Sequence, residues 1–346
     1  MFRTSFENLT EFVVKCFQKM GVPLAEARIA TDVLLEADLR GIESHGIARL
    51  TGWYIDRLRN GNTKPVSKIR VVHEATSTAL MDGDGGLGLL VGYRAMELAI
   101  RKAVSSGAGF VSVTNSRHFG IAGYYSAMAL AHDMIGISMT NSGPLVLPTF
   151  GTVPMVGTNP ISVAAPTGTG TPFLLDMATS VVSAGKFESA ARQGKTIPVG
   201  WALDELGEAT TDPVVARAAR QFLPLGSDAD TSNYKGYGLG VVVDILCGVL
   251  SGIGASPMLS DSYGHFFGAL RIDSFRPANE FKAMMDVMCR GLRETPVRAD
   301  HEQVLVPGDR EFQSREDRLK DGIPLYPTVL EALKVLGVEL EVPLDL

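Results

Sequence analysis

The chain has 346 residues, 45% of them hydrophobic and 20% charged, enough to bury a sizeable core in one large domain or two. Its formal net charge of −6 argues against the broad basic face that a nucleic-acid or anionic-membrane partner needs. Cys16, Cys247 and Cys289 are widely spaced and form no C-x-x-C pair, so neither a disulfide framework nor a zinc knuckle is indicated.

The first residues, "MFRTSFENLTEF", are too polar and acidic for a signal peptide, and a reduced, cytoplasmic protein is expected. Phe6, Leu9, Val13, Phe17 and Met20 recur at helical spacing, with Gly21 placed as a cap. "PLAEARIATDVLLEADLRG" predicts a second helix, again closed by glycine. "SHGIARLTGWYIDRLRNG" predicts a third, with Ser44 as N-cap and Ile47, Leu50, Tyr54 and Leu58 as its buried stripe. From about residue 70 short β-branched runs take over: "GFVSVTNS", "IGISMTNS", "PISVAAPT" and "PFLLDMAT". A helix-like "GYYSAMALAHD" lies between the first two, and further helices are expected over 235–253, 277–294 and 327–336. Residues 134–175 carry no charged residue and no histidine. Glycines and prolines break that run well short of the ~20 apolar residues of a membrane span. It reads instead as buried strands and turns near a subunit contact or a site floor. The pattern predicts an α/β core, residues 75–312, and an α-helical module of residues 1–74 completed by about 313–346, which joins both termini.

Gly83, Gly85 and Gly88 stand at G-x-G-x-x-G spacing between a strand and a helix. A dinucleotide-binding turn of the Rossmann type also needs an Asp or Glu about 20 residues on, after the second strand. No acidic residue occurs between Glu97 and Asp133, while Asp82 and Asp84 stand in the loop and would repel a pyrophosphate. The expectation is a tight glycine turn into a packed helix.

Other stretches carry more chemistry. In "RGIESHGIARL", His45 falls in the first turn of the third helix and Arg49 four residues on, on the same face. A histidine there exchanges the proton of a carbonyl/hydroxyl pair, and an arginine one turn away clamps a carboxylate. An exposed His and a surface Arg fit the same spacing. "TNSRHFGIAGYY" puts Arg117 and His118 between a strand and a helix whose first N–H groups suit an anion; a surface loop fits as well. Arg117 suits either a cofactor 2′-phosphate or solvent. In "NYKGYGLGVVVDIL", Lys235 begins a helix, the unfavourable end for a cation, and three glycines thin its first turns. A phosphate against the helix start explains both features, and so does close helix packing. "VLVPGDRE" offers Gly308 and Arg310 in a turn after a strand.

As an ordered set these motifs, with "MVGTNPISVAAPT", "LLDMATSVVSAGK" and "GIPLYPTVLEAL", resemble the malate/L-lactate dehydrogenase family that lacks a Rossmann fold. That family includes sulfolactate, ureidoglycolate and diketogulonate oxidoreductases and cyclic-imine reductases. The resemblance implies an α/β fold with a mixed, largely antiparallel sheet and flanking helices, and a homodimer binding NAD or NADP between domains. It implies His45 as proton donor and acceptor with Ser44 as its orienter, Arg49 on the substrate carboxylate, and Thr158 and His118 as further substrate contacts. It assigns the cofactor to His118, Phe119, Gly120, Ile121 and Ala122, to Asp176, Met177 and Ala178, to Tyr234 and Lys235, and to Gly308, Asp309 and Arg310. In the imine reductases an acidic residue follows A-x-G after D-x-A-T-S. Lys186 holds that place here, which favours a hydroxy-acid substrate and sets Lys186 beside His45 and Ser44 in the catalytic group.

The reading is an NAD(P)-dependent oxidoreductase of a small 2-hydroxy or 2-oxo acid, malate or lactate foremost. A cyclic-imine 2-carboxylate reductase is the rival within the family. A metal-dependent hydrolase or lyase is the rival from another class, but no H-x-H or H-E-x-x-H spacing supports it. No metal, nucleic acid or membrane is expected.

Overall fold

The structure is a computed structural model and describes residues 2–345. After a short strand β1 (Phe2–Thr4), helix α1 (Phe6–Lys19) starts where the Asn8 N–H donates to the Ser5 hydroxyl at 3.1 Å. Helix α2 (Leu24–Leu39) follows. The third helix departs from expectation. It begins at Ile47, with a 3₁₀ turn Ile47–Arg49, a π-helical stretch Leu50–Ile55 and then α3 (Asp56–Arg59). Its cap is the Asp38 carboxylate, which accepts from the Ile47 N–H at 2.6 Å. Ser44 is therefore no N-cap, and His45 stands in the turn before the helix. Ile47, Leu50, Tyr54 and Leu58 are buried as the spacing requires.

Strands β2 (Arg70–Glu74) and β3 (Thr78–Asp82) lead into α4 (Gly88–Ser106), β4 (Ala108–Ser116), α5 (Ala122–Met128), β5 (Met134–Thr140), β6 (Ile161–Ala165) and β7 (Phe173–Met177). Four of these strands are the β-branched runs of the sequence. Next come α6 (Ala184–Arg192), the two-residue strands β8 (Ala202–Leu203) and β9 (Gln221–Phe222), and between those two α7 (Pro213–Ala219). Helix α8 (Asn233–Val243) continues as a π-helical stretch Asp244–Val249. Strand β10 (Tyr263–Arg271), α9 (Ala278–Arg293), α10 (Asp309–Asp321), β11 (Ile323–Leu325) and α11 (Pro327–Leu340) complete the chain.

Seven strands form one sheet in the order β2-β3-β4-β10-β5-β6-β7. Only β3 and β4 run parallel; every other pair is antiparallel. This is the mixed, largely antiparallel sheet that the resemblance implied. Helices α4 and α5 cover one face, and the Asp244–Val249 stretch backs onto the other, where the Ser112 hydroxyl donates to the Leu246 carbonyl. A main hydrophobic core joins α1, α2 and α11 to the α4–α5 face, and β1 pairs with β11 to tie the chain ends together. A second, smaller core gathers Val146, Val156, Phe187, Ala202, Ala216 and Phe222. Among the described residues no helix is long and apolar enough to cross a membrane.

The glycine turn after β3 serves packing. Gly85 lies at φ +69° and its N–H donates to the Asn115 carbonyl at 2.8 Å. Asp84 is held by Lys64 at 2.6 Å and by the Lys68 N–H at 2.9 Å. A side chain on Gly88 would run into the carbonyl oxygens of Arg117 and His118, so the start of α4 is filled by protein backbone. The uncharged run is only partly buried: β5 and β6 lie inside the sheet, but Phe150 is 89% exposed and Val153 62%. Those two side chains sit on the loop between β5 and β6, where no element of the same chain covers them.

Candidate active site

The turn between α2 and the 3₁₀ segment brings the expected residues together. The Ser44 hydroxyl and His45 Nδ1 are 2.9 Å apart, and the Arg49 Nε donates to the Ser44 carbonyl at 2.7 Å. The His45 ring stacks on the His118 ring with centroids 5.7 Å apart. His118 Nδ1 shares a 2.8 Å hydrogen bond with the Tyr54 hydroxyl, and Trp53 packs on its other side at 5.1 Å. From α6, Glu188 reaches Arg49 Nη2 at 2.9 Å. Residues of both cores thus meet over one pair of imidazoles.

The electrostatics keep those imidazoles neutral. Burial pushes the His45 pKa down to about 4, and the Arg49 and Lys186 cations add to the effect. Burial also carries His118 well below its ordinary range, helped by His45, Arg49, Arg57 and His265. A neutral ring held at Nδ1 by Ser44 accepts a proton at its other nitrogen, and a partly buried guanidinium beside it receives a carboxylate.

The expected cofactor residues occupy three places. In the first, the side chain of Phe119 is buried between His265 and Tyr125, at 4.7 and 4.9 Å, so only its backbone is available. Gly120 lies at φ +79°, and Ile121 and Ala122 lead buried into α5. The anion expected at the start of α5 is the protein's own: Asp176 Oδ2 accepts from the Gly123 N–H at 2.7 Å. Burial raises the Asp176 pKa to about 6 against that bond and the nearby Arg40. Met177 ends β7 paired with Ile161, and Ala178 follows it.

The second place is α8. Lys235 stands in its first turn, exposed and without a carboxylate partner among the described residues, its ammonium 5.9 Å from the Tyr234 ring. Added side chains at Gly236 and Gly240 would strike the Leu225 backbone and Val156, so those two glycines serve packing; Gly238 faces open space. The third place is the turn at Gly308, which lies at φ +103°. The strand expected before it is absent, since residues 303–306 form no ladder. Asp309 is committed to Arg293 at 2.6 and 3.0 Å, while Arg310 is exposed. Arg117 is half-buried, and its side chain is taken up by protein groups. Its side chain donates to the Asn62 and Ser116 carbonyls and to the Ser262 hydroxyl. The backbone of Thr158 is held by the protein, its N–H donating to the Ser142 hydroxyl and its carbonyl accepting from the Thr179 N–H.

Five residues that the sequence reading did not single out for function belong to the site: Arg40, Trp53, Tyr54, Arg57 and Glu188. Tyr54 was visible only as part of a buried stripe. Arg40 is 7% exposed and donates from Nε to Glu36 at 2.8 Å, yet its Nη1 is buried without a partner. It lines a cavity of about 120 Å³ with Asp176, Gly308 and Glu311. An unpaired donor and a carboxylate lining one cavity suit a group that accepts and donates side by side, such as a ribose diol or a carboxamide, and both are parts of a nicotinamide cofactor.

The family model of malate/L-lactate dehydrogenases matches residues 4–334. The chain is 46% identical to the malate dehydrogenase of Pyrococcus abyssi over 96% of this chain and 93% of that one. It is 38% identical to the L-sulfolactate dehydrogenase of Methanocaldococcus jannaschii over 97% of each. The solved structure of malate dehydrogenase from Entamoeba histolytica matches with a TM-score of 0.97 at 35% identity, covering 100% of this chain and 99% of that one. The protein is an oxidoreductase of the dehydrogenase type, for which a nicotinamide cofactor is implied. It belongs to the malate/L-lactate dehydrogenase family.

Proposed function

We propose that the protein is an NAD(P)-dependent dehydrogenase of a small 2-hydroxy/2-oxo acid, of the malate type. The observation that carries this reading is the array Ser44–His45–Arg49 facing His118, with the His45 Nδ1 on a hydroxyl and a guanidinium one turn away. A bound nicotinamide supplies or takes the hydride at C2 of the acid. His45 takes the hydroxyl proton in oxidation and returns it in reduction, while Ser44 holds its ring in one orientation. Arg49 fixes the carboxylate so that C2 has one position. Lys186, whose charge with that of Arg49 disfavours the imidazolium, keeps His45 a base. His118 closes the site against the acid, with Thr158 as a further contact.

The cofactor is assigned to the backbone from His118 to Ala122, to Asp176, Met177 and Ala178, to Tyr234 and Lys235, and to Gly308–Arg310, with Arg40 added on the strength of its unpaired nitrogen. A homodimer belongs to the same reading. It is supported by Phe150 and Val153 on an uncharged loop and by exposed Leu239, Val242, Ile245 and Val249 along the helix that begins at α8. So do a cytoplasmic location and the division into residues 1–74 with 313–346 and residues 75–312.

The test is a panel of oxaloacetate, pyruvate, sulfopyruvate and a cyclic imine carboxylate with NADH and with NADPH, followed by the absorbance of the reduced cofactor. Preferred turnover of oxaloacetate supports the malate type. Preferred turnover of the imine replaces it.

A further inference from the structure

We infer that Glu188 is an internal competitor for the substrate: its carboxylate occupies Arg49 when no acid is bound and passes to Arg217 when one arrives. This rests on the reading of Arg49 as the substrate clamp. An arginine grips a carboxylate with two parallel bonds either through Nε and Nη2 or through Nη1 and Nη2, so both grips use Nη2. In Arg49 the Nε is committed to the Ser44 carbonyl at 2.7 Å, and Nη2 carries Glu188 at 2.9 Å. An incoming carboxylate therefore meets a formed charge-assisted bond and a like charge at the atom it needs.

Glu188 has somewhere to go. Its second oxygen already lies 3.1 Å from Arg217 Nη2, on a side chain 62% exposed. Arg217 sits on α7, which packs against α6, and Phe187 and Ala216 share the second core, so donor and recipient move together. Arg49 belongs to the segment packed into the first core. Two guanidinium groups share this one carboxylate, so the cluster keeps positive charge with which to receive another.

The test is Glu188→Gln, which keeps size and removes charge, assayed with the reduced cofactor and a 2-oxo acid. The Michaelis constant falls by roughly twofold to fivefold, the range of a partly exposed ion pair. Oxamate, which is not reduced, binds the holoenzyme more tightly by a similar factor, read from the fluorescence of Trp53 beside Arg49 at 5.6 Å. Arg217→Gln raises the Michaelis constant, and that rise disappears in the double variant. An unchanged or raised constant in Glu188→Gln, or an Arg217→Gln effect that survives in the double variant, overturns the inference and makes Glu188 a buttress for Arg49. Failure of the clamp itself looks different: Arg49→Lys would then leave the constant unmoved.

Discussion

The rings of His45 and His118 lie face to face, 5.7 Å between centroids and 17° from parallel. Two imidazolium ions at that separation repel strongly where little water screens them, so taking up one extra proton on the pair disfavours a second. Their Nδ1 atoms are tied to different partners, Ser44 and Tyr54. Arg49, the proposed carboxylate clamp, is tied to the Ser44 carbonyl next to His45, and that is the reason to place the proton exchange at His45.

His45→Ala should reduce turnover by roughly 10²–10⁴, the usual contribution of a positioned acid–base group. Cofactor affinity, measured by fluorescence of the bound reduced nicotinamide, should stay near the wild-type value. If turnover survives and His118→Ala abolishes it instead, the proton exchange belongs to His118.

The pH dependence has a definite sign. Oxidation needs the neutral His45 ring, so kcat/KM for the hydroxy acid should hold as pH falls and decline only as pH approaches about 4. Reduction needs the protonated ring and should fade as pH rises. Lys186→Met removes one cause of the depression and should move the acid limb of kcat/KM upward. An acid limb unmoved in that variant would show that Lys186 does not tune His45.

The glycine turn gives a test of stability against binding. Gly85→Ala places a side chain at φ +69° and should cost about 1 kcal/mol. Gly88→Ala should cost more, because its methyl meets the Arg117 and His118 carbonyl oxygens. Urea unfolding measures both losses, and the cofactor dissociation constant of the folded Gly85 variant should not rise selectively. A selective rise would make the turn a phosphate site after all.

Much of this was legible in the sequence for identifiable reasons. Helices α1 and α11 and strands β4, β5, β6 and β7 bury one stripe or a β-branched run, and both leave a periodic trace. Strand β10, the centre of the sheet, did not show itself. "YGHFFGALR" is covered on both faces, so it has no alternation, and two glycines interrupt it. Helix α10 was invisible for the opposite reason. It buries no residue and is held by pairs such as Arg315–Glu36 and Arg318–Glu43, which depend on partners far away in the chain. The site divides in the same way. His45, Ser44 and Arg49 share one short segment and could be read together. Glu188 and Arg40 gain their meaning from what folding puts opposite them.

Lys235 tests the phosphate reading of α8. It stands exposed at an unfavourable helix end with no carboxylate partner among the described residues, so its removal costs the fold little. Lys235→Met should weaken NAD(P)H binding by roughly 1.5–3 kcal/mol, the range for a hydrogen bond to a charged group. Calorimetric titration of the reduced cofactor decides it. An unchanged affinity would assign the phosphates elsewhere.

His265 connects the fold to pH without touching the reaction. It is fully buried, its Nδ1 lies 2.7 Å from the Thr140 hydroxyl, and its Nε2 has no partner. Burial lowers its pKa from 6.5 to about 3. Between those values the unfolded chain binds a proton that the folded chain refuses. The stability from keeping this ring neutral is therefore complete above pH 6.5 and is lost as pH falls toward 3, at about 1.4 kcal/mol per pH unit for one proton. His45 and His118 act in the same direction. His265→Leu, close in volume, removes both the titration and the orphaned nitrogen, and the Thr140 hydroxyl keeps the Gly264 carbonyl at 3.0 Å. At pH 7 the variant should unfold within about 1.5 kcal/mol of the wild type, the usual cost of a volume-conserving swap. Between pH 6 and pH 4 its unfolding free energy in urea should fall less steeply by about one proton's worth. Parallel slopes for the two proteins would mean that the acid sensitivity resides in groups other than His265.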